Sequence, residues 1–305
     1  MDAIEARNLS KSFGSVTAVD DVSITIPKGG IFGFLGPNGA GKTTTIRMIT
    51  GVLIPDSGTV QVLGTDVQKD PLTAKLKMGV IPENGTVYSD LTAKQNILLS
   101  AKFYGMDKAD REKRATEILE RLGLSSRKND CVRTFSKGMR QRISIACAIV
   151  HSPPVLILDE PTTGLDVYSR RLVIDTIRHM NHEGSTILLT THNIEEANEL
   201  CSMISVINLG RIVATDSPER LKKTFDTSRY VEVSFDQEVG PGIFSTPGIT
   251  RAELWGDKWR VYTDNPDLAV KYIASVAEHE HLTIVSIATS NPTLEEAFVR
   301  LTERA

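Results

Sequence analysis

The chain has 305 residues, 40% hydrophobic and 24% charged, with 35 Lys and Arg against 38 Asp and Glu for a formal net charge of −3. These proportions describe a globular chain of one large or two modest domains, and with 22 Gly and 13 Pro they exclude collagenous and disordered classes. The charge is balanced and no segment is strongly basic, which argues against a nucleic-acid partner. No window approaches the roughly 18–20 apolar residues of a bilayer span. The start, MDAIEARNLS, lacks the basic-then-apolar order of a secretory signal, so a cytosolic setting is expected. Cys131, Cys147 and Cys201 show no CxxC or Cys/His spacing and read as packing residues.

In chain order, the first 220 residues alternate strand and helix patterns, as an α/β domain on a largely parallel sheet does. Strands are expected at 3–9, 23–26, 31–35, 79–81, 155–158, 186–190 and 203–208. The wholly apolar stretch 155–158 suits a central strand covered on both faces. A helix is expected over 44–50, and residues 92–150 read as a mainly helical insert. Within it, Thr92-Ala-Lys-Gln95 has the form of a capping box, and Ala115, Ile118, Leu119 and Leu122 recur at helical spacing before Gly123. Asn193-Ile-Glu-Glu196 reads as a second capping box. After Ser217-Pro218 opens a short helix, a linker is expected to end near Ser228. Strands at 230–235, 251–255, 258–263 and 282–289, with helices at 267–278 and from Asn291-Pro292, then describe a small α+β domain. Domains are therefore expected at 1–222 and 229–305.

Gly36-Pro37-Asn38-Gly39-Ala40-Gly41-Lys42-Thr43 fits the phosphate-binding loop GxxxxGK[ST], after a strand and before the helix that Thr44 enters. Glycines let backbone N–H groups turn inward around an anion, and the helix start adds partial positive charge. Lys42 is expected on the β- and γ-phosphates and Thr43 on Mg²⁺. Val155-Leu-Ile-Leu-Asp159-Glu160 is an apolar strand ending in two carboxylates. Ligands collect at the carboxyl ends of parallel strands, so both acids should reach the phosphate site, oriented differently by strand alternation. Asp159 is assigned to Mg²⁺ and Glu160 to polarising the attacking water.

Phe135-Ser136-Lys137-Gly138-Met139-Arg140-Gln141-Arg142 resembles the signature motif of ATP-binding-cassette (ABC) ATPases, with Ser136 standing 23 residues before Asp159. The order of phosphate loop, signature, acidic strand, Gly164-Leu165-Asp166 and His192 matches that family over about residues 3–220. The resemblance implies a P-loop NTPase cassette: an α/β fold with a mainly parallel core sheet, an antiparallel β subdomain and a helical subdomain, here followed by a small α+β domain. It also implies a head-to-tail pair with a second copy or a paralogous cassette, each ATP lying between the loop of one and the signature of the other. On that pattern Ser136 and Gly138 donate to a γ-phosphate, Asp166 bridges the cassettes, His192 senses the γ-phosphate and Phe13 stacks on adenine. Where the family usually has Gln after the 79–81 strand this chain has Glu83, kept as a nucleotide and metal residue, and Lys137 replaces the first signature glycine.

The end, Asn291-Pro-Thr-Leu-Glu-Glu-Ala-Phe-Val-Arg-Leu-Thr302, resembles the accessory domain of type-2 exporter ATPases such as the daunorubicin-resistance and sodium-extrusion systems. Leu294, Phe298 and Leu301 fall on one stripe of a helix there, a pattern that more often packs into a core than meets a partner. The resemblance as a whole implies an ATPase subunit peripheral on the cytoplasmic face of the membrane, using ATP and Mg²⁺ to power export through a separate integral membrane permease. Two rivals stand beside it. A soluble ABC ATPase acting on the ribosome or DNA usually carries two cassettes or a long coiled-coil insert, and a regulatory module that binds ATP without turnover would not need Glu160.

Overall fold

The structure is a computed structural model that describes residues 2–83, 87–223, 229–290 and 293–303. The chain divides into two compact units, Met1–Pro218 with Leu301–Ala305, and Glu219–Arg300.

In the first unit, β1 (Asp2–Phe13) and β2 (Val16–Pro27) form an antiparallel pair. They are followed by β3 (Ile31–Leu35), α1 (Lys42–Ile49), β4 (Ser57–Val62), β5 (Thr65–Asp66), α2 (Pro71–Leu76) and β6 (Met78–Ile81). A helical segment then holds α3 (Ala93–Phe103), α4 (Lys108–Arg121) and α5 (Lys137–Ile149). The chain continues through β7 (Val155–Asp159), α6 (Val167–His182), β8 (Thr186–Thr191), α7 (Ile194–Leu200), β9 (Met203–Asn208) and β10 (Arg211–Asp216). One sheet is antiparallel in the order β2-β1-β4-β5. The other has the order β10-β9-β3-β8-β7-β6 and is parallel except for β10.

Every residue of β3, β7 and β8 is buried, as apolar strands sandwiched by helices require. Their register sets Leu35 beside Thr191 and Asp159 beside Thr190, so three strand ends open side by side. That alignment positions the site.

Several elements depart from the sequence pattern. β1 and β2 run well past 3–9 and 23–26, because ladder hydrogen bonds carry their polar halves. β4, β5, α2 and β10 had no clear signal: Ser-Gly-Thr-Val-Gln-Val in β4 alternates weakly and becomes a strand by pairing with β1. α1 begins at Lys42 rather than 44. The Thr92 capping box forms in full, with Gln95 N–H donating to Thr92 Oγ1 at 3.1 Å and Thr92 N–H to Gln95 Oε1 at 2.8 Å. Gly123 ends α4 at φ +65°, and Leu124 N–H closes back on Leu119 O at 2.8 Å. The second capping box is only half made. Asn193 Oδ1 accepts Glu196 N–H at 3.0 Å, but the Glu196 carboxyl turns into the interior, where hydroxyl donors compete for it.

The second unit holds α8 (Pro218–Lys223) from Glu219, β11 (Tyr230–Phe235), β12 (Ile249–Trp255), β13 (Lys258–Thr263), α9 (Pro266–His279), β14 (Ile284–Ser290) and α10 (Leu294–Glu303) as far as Arg300. Its antiparallel sheet has the order β12-β13-β11-β14, and Val231, Val233, Trp259 and Val261 pack with Ala269 and Ile273 of α9 in a core of their own. β14 starts later than 282 because Leu282 N–H closes α9 on Ala277 O. Leu294 is buried, while Phe298 and Leu301 are half-buried. Ser228 and Asn291-Pro292 lie outside the described residues.

Candidate active site

The loop between β3 and α1 is shaped by its glycines. Gly41 has φ +105°, and a Cβ there would stand 2.5 Å from Ala18 O. A Cβ on Gly36 would stand 2.5 Å from Ile207 O in β9. Both contacts are with backbone, so a side chain at either place would push the loop out of its seat. α1 has no acidic residue in its first turn, which leaves its positive end to an outside anion. Lys42 is buried; its Nζ donates to Gly36 O at 2.7 Å and Pro37 O at 3.2 Å and lies 3.6 Å from Glu160 Oε1.

Asp159 closes β7. Thr190 Oγ1 of the neighbouring strand donates to Asp159 Oδ1 at 2.6 Å, and Thr43 Oγ1 stands 3.5 Å from the same oxygen. Glu160 then leaves the strand at φ +52°, a left-handed conformation that costs a non-glycine residue about 1–3 kcal/mol. Its N–H is shared between Thr190 O at 3.2 Å and Thr190 Oγ1 at 3.0 Å. This turn, not the strand alternation expected from the sequence, aims the Glu160 carboxyl at the loop. Glu160 Oε2 accepts Thr163 Oγ1–H at 2.8 Å and lies 2.7 Å from His192 Nδ1. A carboxylate only accepts, so Nδ1 carries the proton in this pair.

A cavity of about 390 Å³ joins these groups and is lined by Ala18, by loop residues Asn38, Gly39 and Gly41 to Thr44, and by Glu83, Glu160, Thr163 and His192. Asn38, Gly39, Glu83, Thr163 and His192 are its exposed members. Thr190 and Thr163 went unnoticed in the sequence; their only signal is a hydroxyl residue one position before Thr191 and three after Glu160, which is common in any chain.

Four expected site residues stand apart from this cavity. Phe13 is 52% exposed at the end of β1, with Lys11 Nζ 5.9 Å from its ring centre. Ser136 caps α5 by accepting Met139 N–H at 3.2 Å. Asp166 caps α6 by accepting both Ser169 N–H and Ser169 Oγ–H at 2.8 Å, and these bonds hold its carboxyl below the usual range. A Cβ on Gly138 would stand 3.2 Å from Asp166 Oδ2, so the starts of α5 and α6 meet. Lys137 Nζ lies over Gly164 in the same group, against backbone that has no Cβ. Apart from Phe13, the expected nucleotide residues thus form two clusters, one around Lys42 and one around Ser136.

Asp159 and Thr43 present hard oxygen donors, the kind Mg²⁺ takes alongside phosphate oxygens and water. Among the described residues no group of three or more His, Cys, Asp or Glu is placed to hold a metal by itself. The donor set therefore suits a cation that arrives with the phosphates.

A sequence profile of the ABC transporter family matches residues 19–163. The linearmycin resistance ATP-binding protein of Bacillus subtilis is 34% identical, with 99% of this chain and 98% of that protein aligned. A Nod factor export ATP-binding protein of Ralstonia nicotianae is 35% identical over 99% and 94% of the two chains. The daunorubicin/doxorubicin resistance ATP-binding protein of Streptomyces peucetius is 34% identical over 98% and 92%. Among solved structures, the ATP-binding subunit of an ABC transporter superposes with a TM-score of 0.69 at 30% identity, covering 73% of this chain and 93% of the other. A dimeric ATP-binding cassette in a post-hydrolysis state, bound to ADP and Pi, gives 0.65 at 26% identity over 70% and 98%.

Proposed function

The chain belongs to the ABC transporter family as an ATP-binding subunit, and from that premise we propose how its residues divide the work. It binds and hydrolyses ATP to power transport, of the export type, with a separate membrane partner. Among its described residues no helix is long and apolar enough to cross a membrane.

The observation that carries the residue-level reading is the convergence of Lys42, Glu160 and His192 on one cavity at the ends of β3, β7 and β8. The triphosphate enters the cradle of residues 36–44. Lys42 leaves the carbonyls of Gly36 and Pro37, which hold its ammonium ready, for the β- and γ-phosphates. Mg²⁺, when bound, would neutralise phosphate charge, with Thr43 and Asp159 as its protein donors and Glu83 beside them. Glu160 takes a proton from a water whose oxygen bonds to the γ-phosphorus, while the bond to the bridging oxygen breaks and ADP leaves. Thr163 and His192 fix the carboxylate that performs this step.

Ser136, Gly138 and Asp166 lie outside the cavity of their own chain, and we assign them to the nucleotide of a second copy or a paralogous cassette in a closed head-to-tail pair. Phe13 is assigned to the adenine. Residues 229–305 are read as an accessory domain, and the subunit as peripheral on the cytoplasmic face of the membrane. Phosphate release by the purified chain with ATP and Mg²⁺, and its recovery with a detergent-solubilised six-helix membrane protein encoded beside it, test this reading. A chain that binds ATP without releasing phosphate would overturn the enzymatic half, and failure to recover any membrane partner the other.

A further inference from the structure

One buried acid has no part in the chemistry above. Glu196, in the first turn of α7, is 0% exposed, and its Oε1 has no hydrogen-bond partner among the described residues. Burial pushes the carboxyl above its ordinary range, and a bond from Thr162 pulls the other way. A carboxyl in such a place is costly to keep, and perturbed acids gather at functional sites.

Its contacts show what it spans. Glu196 Oε2 accepts Thr162 Oγ1–H at 2.6 Å and faces Thr191 Oγ1 at 3.4 Å. Thr191 Oγ1 in turn accepts Asn193 N–H at 2.9 Å. Thr162 directly precedes Thr163, and Thr191 directly precedes His192. Thr163 and His192 are the two residues that grip Glu160 Oε2, at 2.8 and 2.7 Å. A single oxygen of Glu196 therefore ties the loop leaving β7 to the end of β8, one residue behind each half of the grip.

We propose that Glu196 is a positioning residue for ATP hydrolysis: by bridging Thr162 and Thr191 it sets the spacing between Thr163 and His192, and through them the aim of Glu160. The proposal rests on the assignment of Glu160 as base. Glu196 reaches neither the cradle nor the cavity lining, so its loss leaves nucleotide contacts intact while Glu160 points correctly less often. Such a loss falls on kcat and spares KM.

The test uses the full chain with ATP and Mg²⁺, read by steady-state phosphate release, fluorescent-nucleotide titration and thermal melting. Glu196→Gln keeps an oxygen acceptor for the two hydroxyls and should hold kcat within about twofold of wild type. Glu196→Met fills similar space without an acceptor and should lower kcat about tenfold or more, with KM and affinity within about twofold. Thr162→Val should reproduce most of that loss, and the double variant should fall no further, since both changes cut one link. If the Met variant does not fold, Thr162→Val and Glu196→Gln decide alone. Wild-type kcat in Thr162→Val, additive losses in the double variant, a Gln variant as slow as Met, or parallel losses in KM and affinity would each overturn the proposal. Absence of hydrolysis in the wild-type chain, measured before any variant, would instead remove the reading beneath it.

Discussion

Replacing Glu160 with glutamine removes one charge at nearly constant volume, and the surroundings dictate how the amide lies. Lys42 Nζ stands 3.6 Å from Oε1, so the amide oxygen takes that side and the NH₂ group faces Thr163 and His192. Thr163 can rotate its hydroxyl to accept, and His192 can accept at Nδ1 as its other tautomer. The fold and the cradle thus survive, while the proton acceptor is gone. Positioned general-base catalysis contributes about 10²–10⁴-fold, or about 2.7–5.4 kcal/mol at 1.36 kcal/mol per decade. We expect phosphate release at least about a hundredfold slower, with ATP affinity equal or higher because a negative charge no longer faces the phosphates. Single-turnover phosphate release, nucleotide retained through gel filtration and mass by light scattering read these effects. With ATP the variant should stay trapped as a dimer. Phosphate release within about threefold of wild type would remove Glu160 from its role, and a slow variant that stayed monomeric with ATP would sink the closed-pair account.

Lys42→Ala deletes charge-assisted hydrogen bonds worth about 1.5–3 kcal/mol, so fluorescent-nucleotide affinity should drop about 10- to 100-fold; equal affinity would contradict the loop assignment. Gly36→Ala drives a methyl against Ile207 O and should lower both melting temperature and nucleotide binding; a variant normal in both would show that the cradle does not need this close approach. Specific activity should rise with protein concentration as pairs form, and a flat response down to dilute enzyme would mean a monomeric catalyst. His151 stacks on Tyr104 with ring centres 3.4 Å apart and donates from Nε2 to Met78 O at 3.2 Å. Burial pushes its pKa down from 6.5 to about 4. Below 6.5 the unfolded chain takes the proton first, so this group removes stability as pH falls from 6.5 towards about 4. His151→Phe should flatten the dependence of melting temperature on pH in that window; parallel curves for the two proteins would refute it.

Much of the site is local in sequence and was legible there. The glycines of the phosphate loop, the apolar run ending in Asp159-Glu160 and the Thr92 capping box each depend on neighbours a few residues away, and such short-range chemistry follows from residue type and spacing. Burial on both faces was equally readable for 155–158, since four apolar residues in a row leave no polar face to show to water.

What lay beyond the sequence depends on contacts between distant segments. Thr43 and Asp159 are 116 residues apart and meet only because the strand order sets β3, β8 and β7 side by side. Thr190 enters the site through its register with Asp159, and β4 is a strand only because β1 runs beside it. The left-handed turn at Glu160 carries a local cost that the Thr190, Thr163 and His192 bonds offset, so no propensity scale could anticipate it. Glu196 is the sharpest instance. Its spacing from Asn193 calls for a surface cap, yet its carboxyl lies inside, because α7 packs where Thr162 and Thr191 present hydroxyls to it. Composition and spacing determined which chemistry this chain carries, since those rules act within a turn or a strand; tertiary packing decided that His192 meets the Glu160 carboxylate and Thr190 its N–H, since that depends on which distant groups the fold brings within hydrogen-bonding reach.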